Sequence, residues 1–131
     1  MAEHPNEAVV RRFYDAFSTG DMETLSSIMA PDIVWTTPGD SRISGDYKGQ
    51  DAVFALFGVC GEIAGESLRV DLESIKAQGD DTVVSTHRVT AKREGAELDV
   101  HETEHISLEN GLITRVDESV SDEAASNAFW R

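Results

Sequence analysis

Residues 66–77 read ESLRVDLESIKA: Leu68, Val70 and Leu72 alternate with Arg69, Asp71 and Glu73. A period of two marks a strand with one face turned to a core. Upstream the period is different. After Pro5 and Asn6, which suit a helix start, Val10, Phe13, Tyr14 and Phe17 recur on one helical face, and Gly20 supplies a stop. Asp21 can cap a second, shorter helix with the stripe Leu25, Ile28 and Met29, ended by Pro31. Ile33, Trp35 and Thr37 alternate with Asp32, Val34 and Thr36 in a short strand, and a loop rich in turn formers runs from Pro38 to Gly49. A third helix then sets Val53, Leu56, Phe57 and Cys60 on one side. Downstream, turn signals at Gly79-Asp80-Asp81, Glu94-Gly95 and Asn110-Gly111 divide the rest into strands at 67–77, 82–93, 97–108 and 112–120, with a tail ending in Ala128, Phe129 and Trp130. Helices first and strands afterwards predict an α+β fold, its helices gathered on one face of a curved, mainly antiparallel sheet. Such a sheet leaves a cavity beneath the helices.

The bulk composition narrows the function. At 131 residues the chain suits one domain, 1–131, large enough to bury a core without metals or disulfides. A formal charge of -14 opposes binding to nucleic acid, which depends on Lys and Arg displacing counterions. Cys60 is the only cysteine, and no Cys/His spacing resembles a zinc site, so neither metal nor cofactor is expected and a reducing cytoplasm is the simplest location. Met1 to Pro5 leads into polar sequence, and no apolar run approaches the ~20 residues that span a bilayer.

The order of elements, with Phe13-Tyr14-Asp15-Ala16-Phe17, Asp21, Pro31-Asp32-Ile33-Val34-Trp35, Gly45-Asp46-Tyr47-Lys48-Gly49 and Asn110-Gly111-Leu112-Ile113, resembles the SnoaL-like branch of the nuclear-transport-factor-2-like superfamily. The resemblance covers nearly the whole chain. It implies a cone-shaped fold in which three helices from the N-terminal half pack on a curved sheet around a pocket. Function does not follow from fold. Members of related architecture include polyketide cyclases, ketosteroid isomerases and limonene epoxide hydrolases, as well as proteins that only bind or scaffold.

Strand register decides which side chains enter the pocket, because a slip of one residue reverses them all. If Glu94-Gly95-Ala96 and Glu109-Asn110-Gly111 are three-residue loops, Arg88 lies opposite Glu102 and Glu102 opposite Glu118, with Thr90 and Val100 on one side and Thr86, Glu104 and Val116 on the other. The resemblance also points this row inward. A two-residue turn at Glu94-Gly95 would instead set Arg88 opposite His101. Two neighbouring carboxylates in a partly dry pocket cannot both ionise freely, so one keeps a proton toward neutral pH and an acid stands beside a base. Arg88 would orient the charged partner or bind a substrate oxygen. The plainer alternative is a cross-strand ion pair of Arg88 and Glu102 on a wet face.

The resemblance sorts the candidate chemistries by what is missing. Glu118 matches an acidic residue with a catalytic role in both cyclases and epoxide hydrolases. In the epoxide hydrolase pattern Arg88 also matches, but Thr90 replaces the water-activating aspartate, and Trp35 and Thr37 replace a tyrosine and an asparagine. In the ketosteroid isomerase pattern Glu102 matches the oxyanion-hole acid, but Thr37 stands where the base belongs and Phe13 replaces a tyrosine. In the cyclase pattern Glu118 is retained and Glu104 replaces a pocket histidine. The reading is therefore an enzyme that moves a proton next to a carbonyl, with Glu118, Glu102 and Arg88 catalytic and Trp35, Thr37, Thr90, Glu104, Tyr14 and Phe57 around a hydrophobic or polyketide-like substrate. Hydrolysis by an activated water and a non-catalytic binding protein are the alternatives. His87, His101 and His105 are expected on the opposite, convex face, where related proteins dimerise; Tyr47 is a lid candidate and Cys60 a small buried hydrophobe.

Overall fold

The computed structural model describes residues 3–131, so Met1 and Ala2, where the reading of the N-terminus and of a 1–131 domain begins, lie outside it. Helix α1 (Pro5–Thr19) starts where the His4 side chain accepts from the Asn6 N–H at 3.1 Å and Glu7 reaches back to the His4 N–H. It ends at Gly20, whose left-handed φ of 71° suits a residue without Cβ. Helix α2 (Met22–Ile28) is capped by Asp21, as its sequence predicts, but stops before Met29, which opens strand β1 (Met29–Thr37).

The loop expected from Pro38 to Gly49 contains a short edge strand, β2 (Gly45–Lys48), paired with β1, and leads to helix α3 (Gln50–Ala64). A 3-10 turn at Gly65–Ser67 enters β3 (Arg69–Ala77), followed by β4 (Thr82–Arg93), β5 (Ala96–Glu109) and β6 (Leu112–Val120). The tail forms helix α4 (Glu123–Phe129), capped by Asp122, and brings Phe129 and Trp130 into the core.

The six strands lie in the order β2-β1-β6-β5-β4-β3; β1 and β6 run parallel and the other pairs antiparallel. This is the α+β arrangement expected, a curved sheet with helices on its concave side. Phe13, Tyr14, Val53 and Leu56 from the helices meet Trp35, Val83, Val89, Val100, Ile106 and Val116 from the sheet in one core. Such burial of large apolar side chains stabilises by roughly 1.5–3 kcal/mol each. Among the described residues no helix is long and apolar enough to cross a membrane.

Candidate active site

Two turns and one bulge set the inward row. Arg93 pairs with Ala96, so the loop at Glu94-Gly95 has two residues rather than three, and Gly95 takes a φ of 79°. That slip of one residue reverses β4 relative to the expected register. Arg88 falls opposite His101 and points outward, where it forms a bidentate pair with Asp99 at 2.6 and 2.8 Å. Thr86 and Thr90 share that outward parity with Arg88. His87, expected on the convex face, instead faces inward and is 4% exposed. His101 and His105 are exposed, as expected.

The turn at Asn110-Gly111 is also two residues long, both with positive φ, the geometry that matches strand twist. A bulge between the Leu108–Ile113 and Ser107–Arg115 pairs adds Thr114 to β6. The short turn and the added residue together displace the register by two, which preserves parity. Glu118 therefore faces inward as expected, but opposite Glu104, while Glu102 lies opposite Val120.

Three glutamates and one histidine meet under the helices. Glu118 Oε1 accepts from Trp35 Nε1 at 3.1 Å and from Thr37 Oγ1 at 2.9 Å, both carried on neighbouring β1. His87 Nε2 and Glu102 Oε1 are 2.8 Å apart. On the far side of the ring, His87 Nδ1 lies 2.7 Å from the Tyr14 hydroxyl, which is 2.8 Å from Ser85 Oγ. Glu104 is 4% exposed, and its Oε2 has no hydrogen-bond partner. Phe13, Phe17, Trp35 and Phe57 wall the other side of a cavity of about 90 Å³. Phe57 stands edge-on to Trp35 at 5.4 Å and to Phe17 at 5.1 Å, an arrangement aromatic quadrupoles favour.

Burial governs the protonation of this cluster. It pushes Glu102 and Glu118 up to about 7 from an ordinary 4.5. For Glu118 the charge on Glu102 adds to the rise, and the hydrogen bonds from Glu104, Trp35 and Thr37 oppose it. Glu104, buried beside the charges of Glu118 and Glu102 and without those donors, is raised well above its ordinary value. The proton of the Glu104–Glu118 pair therefore rests mainly on Glu104, and Glu118 is the more readily ionised member. Burial also lowers His87, so the ring is neutral, and with its proton on Nε2 it donates to Glu102 and accepts from Tyr14 at Nδ1. The Tyr14 hydroxyl is raised, chiefly by burial, and stays protonated. The Cys60 thiol at the pocket wall is pushed up to about 12 by burial, which leaves it inert as a nucleophile.

Of the residues singled out in the sequence, Glu118, Glu102, Glu104, Trp35, Thr37, Tyr14 and Phe57 line the same cavity, whereas Arg88 and Thr90 are on the outer face. His87 and Ser85 are the site residues that sequence reasoning missed. The signal was there: Val83, Val89 and Ala91 share their parity with His87, while Arg88 shares its parity with Thr86, Thr90 and Lys92. The ligand atoms of His87, Glu102, Glu104 and Glu118 lie within 4.8 Å of one another, a spacing that a metal ion could also bridge.

Fold and pocket together are those of a small helix-on-sheet protein with an acid-lined cavity, and the comparisons agree with the fold. The model of the SnoaL-like domain matches residues 10–116, and the chain belongs to that family. It is 33% identical over 130 residues to an uncharacterised protein of Mycobacterium tuberculosis, covering 99% of each chain. Its structure is similar to that of Bal32a from a soil-derived mobile gene cassette, at 39% identity, a TM-score of 0.93 and 97% coverage of each. It is similar also to an NTF2-like protein from Burkholderia xenovorans LB400, at 25% identity, a TM-score of 0.84 and coverage of 100% and 99%.

Proposed function

We propose that the chain is a small-molecule enzyme that transfers protons at a carbon next to a carbonyl, as in aldol-type cyclisation or isomerisation. The observation that carries this reading is the unequal Glu104–Glu118 pair: one carboxyl held by two side-chain donors, its neighbour buried without a partner for Oε2. Unequal environments separate a base from an acid. Glu118 takes the C–H proton, the bonding pair becomes the enolate C=C, and the proton kept by Glu104 stabilises the developing oxygen charge. A proton returned from the pair to the same or another carbon completes the cycle without a cofactor. Arg88, on the outer face, has no part in it. Membership of the SnoaL-like family, with the cyclase pattern retained at Glu118, supports the same chemistry.

The cavity of about 90 Å³ favours a compact substrate, or the buried end of a longer one. A homodimer through the convex face in the cytoplasm belongs to the same reading, and sedimentation velocity tests the dimer. The chemistry is tested by incubating small aryl ketones with the protein in D2O and following loss of the α-proton signal by NMR. Exchange above the buffer rate that disappears in Glu118→Gln is expected. Exchange unchanged in that variant refutes the assignment of Glu118, and no exchange with any ketone that binds favours a binding protein without turnover.

A further inference from the structure

The charge inside the cavity is one-sided. Glu102, Glu104 and Glu118 line it with neutral His87, and among the described residues none that lines it is Lys or Arg. Arg88, the cation expected there, is paired with Asp99 outside. Buried carboxylates need a counter-charge or protons. Glu104 Oε2 is a buried acceptor to which no side chain or backbone group donates. Around these acids stand the rings of Phe13, Trp35 and Phe57, with Phe13 and Trp35 5.8 Å apart and Trp35 and Phe57 5.4 Å apart. Aromatic faces attract organic cations through the ring quadrupole.

We propose that the pocket selects a ligand bearing a protonated amine on a compact apolar body, the ammonium group donating to the Glu102 carboxylate and to Oε2 of Glu104, whose own proton is carried on Oε1, while the apolar part lies against Phe13, Trp35 and Phe57. The inference rests on reading this cavity as the substrate site and adds the substrate's charge. It excludes ligands whose buried end is a carboxylate or a phosphate, because nothing in the cavity would neutralise them. An apolar wall also suits an organic ammonium better than a bare metal ion, which takes its remaining ligands from water or polar groups.

The test is calorimetric titration of the full chain at pH 7 with benzylamine, benzyl alcohol and benzoate, which have similar size and differ in the charge of one group. Benzylamine is expected to bind about ten-fold tighter than benzyl alcohol, the scale of one charge-assisted hydrogen bond, and benzoate not to bind. In Glu104→Gln and Glu102→Gln the preference for amine over alcohol should shrink by about the same factor. Equal affinities for amine and alcohol, binding of benzoate, absence of benzylamine binding, or a preference unchanged in both variants overturns the proposal. So does displacement of benzylamine by Mn2+ alone at micromolar concentration, which would assign the acids to a metal. The wild-type series decides the matter even if a variant fails to fold. Failure of the proton-transfer reading is seen separately, as an intact amine preference without deuterium exchange.

Discussion

Replacing Glu104 by glutamine removes one buried proton-binding group with little change of shape. The groups that face it are Glu102 on its own strand, Glu118 on β6, His87 on β4 and Tyr14 on α1. In the unfolded chain Glu104 ionises near 4.5, whereas in the fold its pKa is raised well above that value by burial and by its acidic neighbours. Above about pH 5 folding therefore requires uptake of a proton. A raised folded pKa contributes stability that is full below the unfolded value and is lost as pH rises towards the folded one. The loss is about 1.4 kcal/mol per pH unit for one proton across the window between the unfolded and the folded pKa. Against a total stability of about 5–15 kcal/mol this is large. Glu104→Gln removes that slope, and its amide can donate to Glu118, which flattens the curve further. His87, lowered by burial, acts with the opposite sign near pH 6.5 but is present in both proteins. Urea unfolding at pH 5, 6, 7 and 8 should give two curves that diverge with pH, the variant gaining at the alkaline end. Parallel curves would refute the claim that Glu104 holds a proton in the fold.

Thr37→Val removes one of the two donors to Glu118 Oε1, so the Glu118 carboxylate loses support and its titration moves to higher pH; an NMR titration checks the direction. Tyr14→Phe leaves His87 Nδ1 and Ser85 Oγ without their shared partner in a buried place, at a cost of about 1–3 kcal/mol by urea unfolding. Arg88→Ala deletes an exposed ion pair and should change stability by less than about 1 kcal/mol, with ligand affinity and α-proton exchange unchanged. A loss of activity in Arg88→Ala would return that arginine to the site.

The fold was legible because its signals are long: the helical stripe through Val10, Phe13, Tyr14 and Phe17, then the alternation that begins at Leu68. The two elements missed are short. β2 is a four-residue edge strand inside a loop, and α4 has seven residues whose only clear mark is the cap Asp122. The site was legible in part for a geometric reason. On β6 a two-residue turn and a bulge shift the register by two, so Glu118 stays inward although its partner changes from Glu102 to Glu104. On β4 a single-residue difference at Glu94-Gly95 exchanged Arg88 for His87. Nothing in that turn dictates its length, and the buried parity of Val83, Val89 and Ala91 was the better guide.

The central claim is that burial raises the pocket carboxyls unequally, so that Glu104 holds a proton at neutral pH while Glu102 and Glu118 titrate near it, and a carbon-13 NMR titration of glutamate-labelled protein from pH 4 to 9 tests it most directly. Glu102 and Glu118 should titrate near 7 and Glu104 above its ordinary range, each signal assigned by its loss in the glutamine variant. Titration of all three near the ordinary carboxylate value of 4.5 would contradict the account.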